Sequence, residues 1–269
     1  MTARGGYCDI DRDFSKTVSV IVPVFRLEKY IRETMDSIAN QTYEDWEMIL
    51  VNDNTDDNSV EIIEKYIVEK GFQDRVFLYH QKDEKGAASA RNRGVREAHG
   101  RYIAYLDGDD VWMPDKLEKE LAFMSEKDAG FVFTGYEFAD ANAVGMGKIV
   151  RVPATLNYKQ ALKNTTIFTS TVMFDTEKLA REKLMMPLIK SEDTALWWRI
   201  LREGNVAYGL DANLVLYRRP GKNGKSLSSN KFEAIKRVWA LYRKSEGLNV
   251  FVSFYYFCFW AVRAVLRRV

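Results

Sequence analysis

Apolar positions along the chain alternate between two rhythms. Thr17 to Phe25 (TVSVIVPVF) is a β-branched run closed by Pro23, and Glu28 to Ala39 then carries Ile31, Met35 and Ile38 at helical spacing, so a strand precedes a helix. The pattern recurs. Glu47 to Val51 (EMILV) reads as a buried strand and NDNTDDNS as a polar loop, while Val60 to Lys70 places Ile63, Tyr66 and Ile67 on one helical face, with Asn58 or Ser59 as its cap. Arg75 to Tyr79 gives a third strand, Ala87 to His99 a helix stopped by Gly100, and Tyr102 to Leu106 (YIAYL) a fourth strand. Pro114 suits the first turn of a helix running to about Ser125. Such alternation predicts an α/β fold with a largely parallel sheet, helices on both faces, and ligands beyond the carboxyl ends of the strands. Beyond Phe131 the alternation weakens to strand-like FVFTGYEF, KIVRVP and TSTVMF, followed by a helix from about Glu192 to Glu203. The chain thus divides into 17–128, 129–228 and a C-terminal stretch, 229–269, without an obvious linker or internal repeat.

Composition narrows the classes. Hydrophobic residues make up 46% and charged residues 29% of 269, with five prolines and sixteen glycines, which excludes a collagen-like or disordered chain. Cys8 and Cys258 stand far apart with no CxxC, against a disulfide framework or a structural zinc site. With no apolar stretch at the N-terminus, a cytoplasmic protein is expected. The net charge of +2 hides an asymmetry: from Arg218 onward there are twelve Lys/Arg and two Asp/Glu, so the body is acidic and the tail basic.

The first strand-to-helix turn, PVFRLE, lacks GxGxxG, and GxxxxGK[ST] occurs nowhere, so the dinucleotide and P-loop readings fail. Histidine is scarce, with only His80 and His99. Carboxylates gather instead at strand ends: Asp53 after EMILV, and Asp107, Asp109 and Asp110 after YIAYL. An Asp-x-Asp there can hold a hard divalent cation that bridges two phosphates, although Asp and Gly are also ordinary turn residues.

The segments VSVIVPVFRLEKYIRETMDSI, WEMILVNDNTDD, KGAASARNRGVREAHGRYIAYLDGDDVWMPDKL and SEDTALWWRIL, in that order, resemble the signature of family-2 glycosyltransferases with the GT-A fold. VPATLNYKQALKNTTI, EDTALWWRILREGNVAYGLD and SLSSNK further resemble enzymes of bacterial teichuronic-acid, capsule and O-antigen assembly. The resemblance implies a nucleotide-sugar half over 17–128, with a Rossmann-like, mixed and mostly parallel sheet, and an acceptor half over 129–228.

It also implies roles. Uracil and ribose would lie against Pro23, Val24, Phe25 and Glu28, unless Phe25 fills core and Glu28 only answers the helix dipole. The family's Asp-Asp-Gly-Ser is replaced by Asn52-Asp53-Asn54-Thr55; Asn52 can still accept the uracil N3 proton, and Asp53 is either a second base contact or an Asx-turn residue. Lys85, Gly86 and Arg91 would meet base and diphosphate, the alternative for Arg91 being a solvated face. Asp107-Gly108-Asp109 matches the Asp-x-Asp motif, with Asp107 near ribose or a metal-bound water and Asp109 on Mn²⁺ or Mg²⁺, while Asp110 caps the next helix. Relatives carry a late histidine where this chain reads Tyr217-Arg218-Arg219-Pro220, so Arg218, Arg219, Lys222 or Lys225 would neutralise diphosphate, or the metal would keep more water. The general base would be Asp193, oriented by Glu192, although two acids at a helix N-terminus can be purely structural. Trp197 and Trp198 would stack on acceptor sugars, though one of two adjacent helix aromatics usually belongs to the core, as Trp112 is expected to.

Val250 to Val262 (VFVSFYYFCFWAV), followed by Arg263, Arg267 and Arg268, spans only roughly 20 Å as a helix, short of a ~30 Å hydrocarbon core. Aromatics beside arginines suit an interfacial helix on anionic lipid better than a nucleic-acid groove; a buried helix or an oligomer contact is the alternative. The sequence therefore predicts an inverting, metal-dependent transferase moving a sugar from a UDP-sugar to a lipid-linked saccharide at the membrane's inner face. The rival reading is a noncatalytic sugar-nucleotide-binding or scaffolding subunit.

Overall fold

The computed structural model describes residues 13–81, 85–163, 166–219 and 231–266. In chain order its elements are β1 (Val18–Val24), α1 (Ile31–Ala39), β2 (Trp46–Asn52), α2 (Ser59–Lys70), β3 (Val76–His80), α3 (Ala87–Glu97), β4 (Tyr102–Tyr105), β5 (Val111–Trp112) and α4 (Lys116–Lys127). There follow β6 (Phe131–Ala139), β7 (Gly145–Val150), β8 (Thr155–Leu156), α5 (Tyr158–Ala161), β9 (Val172–Asp175), α6 (Glu192–Arg202), β10 (Ala207–Arg218), α7 (Lys231–Ala240) and α8 (Val250–Leu266).

One sheet runs through both halves in the order β3-β2-β1-β4-β9-β6-β10-β5, with β7 on β6 and β8 on β10. The first four strands are mutually parallel, as the βα alternation predicts, and β6 and β10 are also parallel; β9 enters antiparallel between β4 and β6. Register aligns Val24 with Asn52, Asn52 with His80 and Ile21 with Tyr105. The loops after β1, β2 and β4 therefore open on the same sheet edge, the position where ligands of open α/β sheets bind.

Because consecutive side chains of β1 point to opposite faces, Val20 and Val22 join one core with Ile31, Met35 and Ile38 of α1, Ile63 of α2 and Leu117 of α4. Ile21 joins the other, with Val95 of α3, Phe131, Phe174 and Leu196 of α6. α3 approaches the sheet closely at Gly94, where a Cβ would stand 2.3 Å from Ile21 Cγ2.

Beyond β6 the sequence reading was incomplete. TSTVMF divides into a 3₁₀ turn, Thr169–Thr171, and β9. The twelve-residue β10 was not foreseen, because Asp211 and Asn213 break its apolar pattern and its register on β6 shifts at Leu210/Asn213 and Asn213/Leu216. The boundary at 228 lies outside the described residues.

Candidate active site

The first two loops are fastened to one another before any ligand is considered. Arg26 grips Asp56 with Nε and Nη2, both at 2.7 Å, and its backbone N–H donates to Thr55 Oγ1 at 2.8 Å. Asp57 accepts from the backbone of Glu28 and from the hydroxyls of Thr55 and Ser59 at 2.6–2.9 Å. Against partial burial, the hydrogen bonds from Ser59, Glu28 and Thr55 hold its carboxyl down at about 2. Asp57, rather than Asn58 or Ser59, thus answers the start of α2, where the Asn58 side chain makes no capping bond. Arg26 and Asn54 both carry φ of 55°, backbone strain concentrated at the loops facing the site.

This fastening redistributes the expected nucleotide contacts. The Glu28 carboxylate accepts from the backbone and side-chain nitrogens of Asn58 at 3.3 and 3.2 Å, so it is occupied by the neighbouring loop rather than held ready for ribose. Both ends of the Asn52 amide are used: Oδ1 accepts from Thr55 N at 2.9 Å and Nδ2 lies 3.1 Å from His80 Nδ1. Asp53 is the better-placed acceptor. Its Oδ2 receives the Gly86 N–H at 2.8 Å, whereas Oδ1 is buried and has no partner within the protein. Such an orphan acceptor costs free energy unless a ligand donor meets it. Gly86 opens α3 at φ 106°, a backbone conformation that favours glycine. Phe25 is half exposed instead of filling core, Lys85 is exposed just before Gly86, Pro23 is half-buried, and Val24 is buried with its carbonyl accepting from Asp53 N.

The deeper part of the site is an ionic chain. Arg91, buried on α3, donates Nη2 to Asp107 Oδ1 at 2.5 Å and Nη1 to Glu192 Oε1 at 3.0 Å, joining the turn after β4 to the start of α6. Burial works against its charge, but Asp107 and Glu192 outweigh that and raise its pKa above the usual guanidinium value. Arg91 is therefore neither a solvated face nor a fork held out for diphosphate, because both terminal nitrogens are engaged inside the protein. Gly108 sits where a Cβ would come within 2.2 Å of Leu27 Cδ1, so the Asp-Gly-Asp turn packs directly under the first loop.

The 3₁₀ turn Thr169–Thr171 ties the same parts together, and the sequence reading missed it. Ser170 Oγ accepts from Asp107 N at 3.1 Å and donates to Asp110 Oδ2 at 2.6 Å, while Thr169 Oγ1 donates to Asp193 Oδ2 at 3.2 Å. Trp112 is buried as expected, and its indole N–H donates to Ser170 O at 2.8 Å. Asp110 is not a helix cap: it is fully buried and also accepts the Arg218 N–H at 3.0 Å.

Electrostatics separate the carboxylates. Burial first, and the adjacent Asp107 charge second, push Asp109 up to about 6. Asp110 lies well above its usual range through burial and the neighbouring Asp109 and Asp107 charges. Glu192 is raised by burial even though Arg91 opposes the shift. The turn is thus short of positive charge at Asp109. Hard carboxylate oxygens in that state suit Mn²⁺ or Mg²⁺, which bind through one or two carboxylates and fill the remaining positions with water and phosphate oxygen. Among the described residues no group of three His, Cys, Asp or Glu is placed to hold a metal alone.

Two further expectations are corrected. Trp197 and Trp198 are both buried, at 2% and 1% exposure, so neither offers a face to an acceptor. Trp197 packs with Phe131 and Phe174 at ring-centroid distances of 5.5 and 5.6 Å, and Trp198 stacks on Tyr242 at 5.0 Å; α6 is covered on two sides, so adjacent positions both find core. Arg218 is buried as well, donating at 2.6 Å to Asp109 O, Ala141 O and Glu33 Oε2, and Arg219 lies over Phe138 at 3.9 Å. These arginines brace the end of β10, while Lys222 and Lys225 lie outside the described residues.

Comparison with known proteins agrees with this geometry. The profile described as Glycosyl transferase family 2 matches residues 19–184. A Bacillus subtilis (strain 168) protein carrying the name teichuronic acid biosynthesis glycosyltransferase TuaG is 39% identical over 253 residues, covering 94% of this chain and 97% of its own. An Escherichia coli protein named UDP-Glc:alpha-D-GlcNAc-diphosphoundecaprenol beta-1,3-glucosyltransferase WfgD is 34% identical over 224 residues, 82% of this chain and 83% of its own. Among solved structures, S. aureus TarS 1-349 in complex with UDP-GlcNAc superposes with a TM-score of 0.66 at 19% identity, covering 91% of this chain and 71% of that one, a likeness of fold. With an α/β GT-A sheet, an Asp-Gly-Asp turn at its edge and relatives matched over nearly their full length, the chain belongs to glycosyltransferase family 2.

Proposed function

We propose that this glycosyltransferase moves the sugar of a UDP-sugar onto a hydroxyl of a lipid-linked saccharide, with inversion at the anomeric carbon, in cell-surface polysaccharide assembly. The observation that carries the reading is the Asp107–Arg91–Glu192 chain, which couples the donor-side turn to the carboxylates opening α6. The names of the two relatives support the substrate classes: one is named for teichuronic acid biosynthesis, the other for glucose transfer from UDP-Glc to a diphosphoundecaprenol-linked GlcNAc.

The two carboxylates of α6 divide the work. Glu192 is tied to Arg91, which also holds Asp107, so its carboxylate is fixed as the orienting partner. Asp193 is held by the Thr169 hydroxyl and by the Thr194 backbone and hydroxyl, which orient its carboxylate as the general base of this reaction. Asp193 accepts the proton of the attacking hydroxyl as its oxygen bonds to the anomeric carbon and the bond from that carbon to the β-phosphate oxygen breaks, releasing UDP. A single displacement inverts the centre. Asp53 Oδ1 accepts the N3 proton of uracil, and the Gly86 turn keeps that carboxylate in place. Asp109 and the free oxygen of Asp107 would hold Mn²⁺ or Mg²⁺, which supplies positive charge to the diphosphate leaving group.

The enzyme acts on the inner face of the membrane. No helix among the described residues is long and apolar enough to cross a bilayer. α8 turns Tyr256, Phe257 and Trp260 toward the core but leaves Phe251, Phe254, Tyr255, Phe259 and Val262 exposed, an apolar face suited to lipid headgroup depth. The decisive experiment incubates the enzyme and Asp193→Asn with UDP-sugars and lipid-linked saccharides. The variant should bind UDP normally and lose nearly all transfer; normal transfer by Asp193→Asn would overturn the assignment.

A further inference from the structure

A groove of about 350 Å³ lies between the segment that leads into α6 and the junction of α7 with the π-helical turn Leu241–Ser245. Its floor is apolar, with Ile189 and Leu241, and its walls carry Lys190, Lys236, Arg237 and Lys244 against the single carboxylate of Glu233. Glu233 is divided between two lysines, 3.8 Å from Lys190 and 3.6 Å from Lys236, and both ammonium groups remain largely in solvent. Four cationic side chains and one carboxylate thus line a largely apolar groove, with Arg237 Nε also donating to the Glu233 carbonyl at 3.2 Å.

Its position adds a second constraint. Lys190 precedes Asp193 by three residues, so their Cα atoms are at most roughly 11 Å apart, about the reach of a sugar ring joined to its phosphate. On the other side, α7 is joined to α8 through Trp239 and Phe257, whose ring centroids are 5.9 Å apart, and α8 carries the exposed Phe251, Phe254 and Tyr255. Lys163 adds a cation to that face of α8, donating to the Tyr255 hydroxyl at 3.0 Å and lying 4.7 Å from the Phe259 ring.

We infer that this groove seats the diphosphate of a polyprenyl-diphosphate-linked acceptor, so that the first sugar reaches Asp193 and the lipid chain leaves along the aromatic face of α8. The inference rests on the lipid-linked acceptor proposed above and names the part of the chain that recognises its head. Lysine and arginine clusters bind phosphate through charge-assisted hydrogen bonds, and an apolar floor accepts the first isoprene units. An ordinary membrane surface would need only the charge.

The test is flotation of the full chain with neutral phosphatidylcholine vesicles carrying a small fraction of undecaprenyl diphosphate, compared with vesicles of equal surface charge made with phosphatidylglycerol. The wild type should favour the diphosphate vesicles by about tenfold or more, and Lys236→Glu combined with Lys244→Glu should erase that preference. Lys65→Glu, at an exposed position of α2 that does not line the groove, serves as the charge control, and unchanged melting and UDP binding establish that the double variant is folded. Equal binding to both vesicle types would make the groove a general anionic-surface contact and overturn the inference; so would a double variant that binds like the wild type, whereas inorganic pyrophosphate should compete for the site. Because binding is read without turnover, the groove stands or falls whether or not transfer from a UDP-sugar is observed.

Discussion

The loops over β1 and β2 and the helical layer formed by α7 and α8 use polar residues in opposite ways. In the loops, charge is matched internally: Arg26 meets Asp56, Asp57 collects donors from three residues, and Asp53 is steadied by Gly86. In the helical layer, cationic side chains gather around the single carboxylate of Glu233 in the groove, and aromatic rings of α8 face outward. The difference teaches what each region is shaped for. A loop set with one orphan acceptor is preorganised for a small ligand with a fixed donor pattern, whereas an unbalanced cationic and aromatic surface suits an extended amphiphile.

The sharpest way to break this contrast lies where the two regions meet. Replacing Asp193 with Asn should reduce transfer by about 10²- to 10⁴-fold in a steady-state assay while titration calorimetry finds UDP affinity unchanged; loss of UDP binding would instead tie Asp193 to the donor loops. Replacing Arg91 with Met leaves Asp107 and Glu192 without their shared cation, and chemical denaturation should register a loss of about 3–5 kcal/mol. Arg91→Lys should recover only part of that, since one ammonium cannot reproduce a planar fork reaching two carboxylates.

A pH series tests the charge deficit at Asp109. Its folded pKa of about 6 exceeds the ordinary 3.8, so between those values the folded protein retains a proton that the unfolded chain has released. Metal-free stability should therefore fall as pH rises through that window, by on the order of 3 kcal/mol in full. Thermal melts should show a shallower decline in Asp109→Asn, with the remainder due to the raised Asp110 and Glu192, and Mn²⁺ restoring the wild type at neutral pH. Equal pH slopes for the two proteins would place the deficit elsewhere. The smallest effect belongs to Arg26→Ala, an exposed pair, which should leave stability nearly unchanged but weaken UDP binding as the two loops separate. Unchanged UDP affinity would show that the loops need no fastening.

Local pattern explains what could be read from the chain. β1 to β4 and the helices between them announce themselves through periodicity, and the Asp-Gly-Asp turn sits where a parallel sheet presents its loops. Thr169 and Ser170 could not be found this way: their partners Asp193, Asp107 and Asp110 lie 24 to 63 residues distant, and hydroxyl residues in a turn carry no periodic signal. The tryptophans misled for a related reason. Helical spacing says that neighbours face different directions, but not that both directions end in protein, as they do where α6 is sandwiched between Phe131 and Tyr242.

β9 carries one further consequence. Paired antiparallel to β4 on one side and β6 on the other, it welds the two halves into one ladder and leaves no hinge between them. Amide protons of β4, β9 and β6 should consequently exchange only through global unfolding, while the loops over β1 and β2 exchange locally. A fragment cut at residue 128 would retain the most recognisable stretches of sequence yet expose the bare flank of β4, and it should self-associate rather than fold as an independent nucleotide-binding unit.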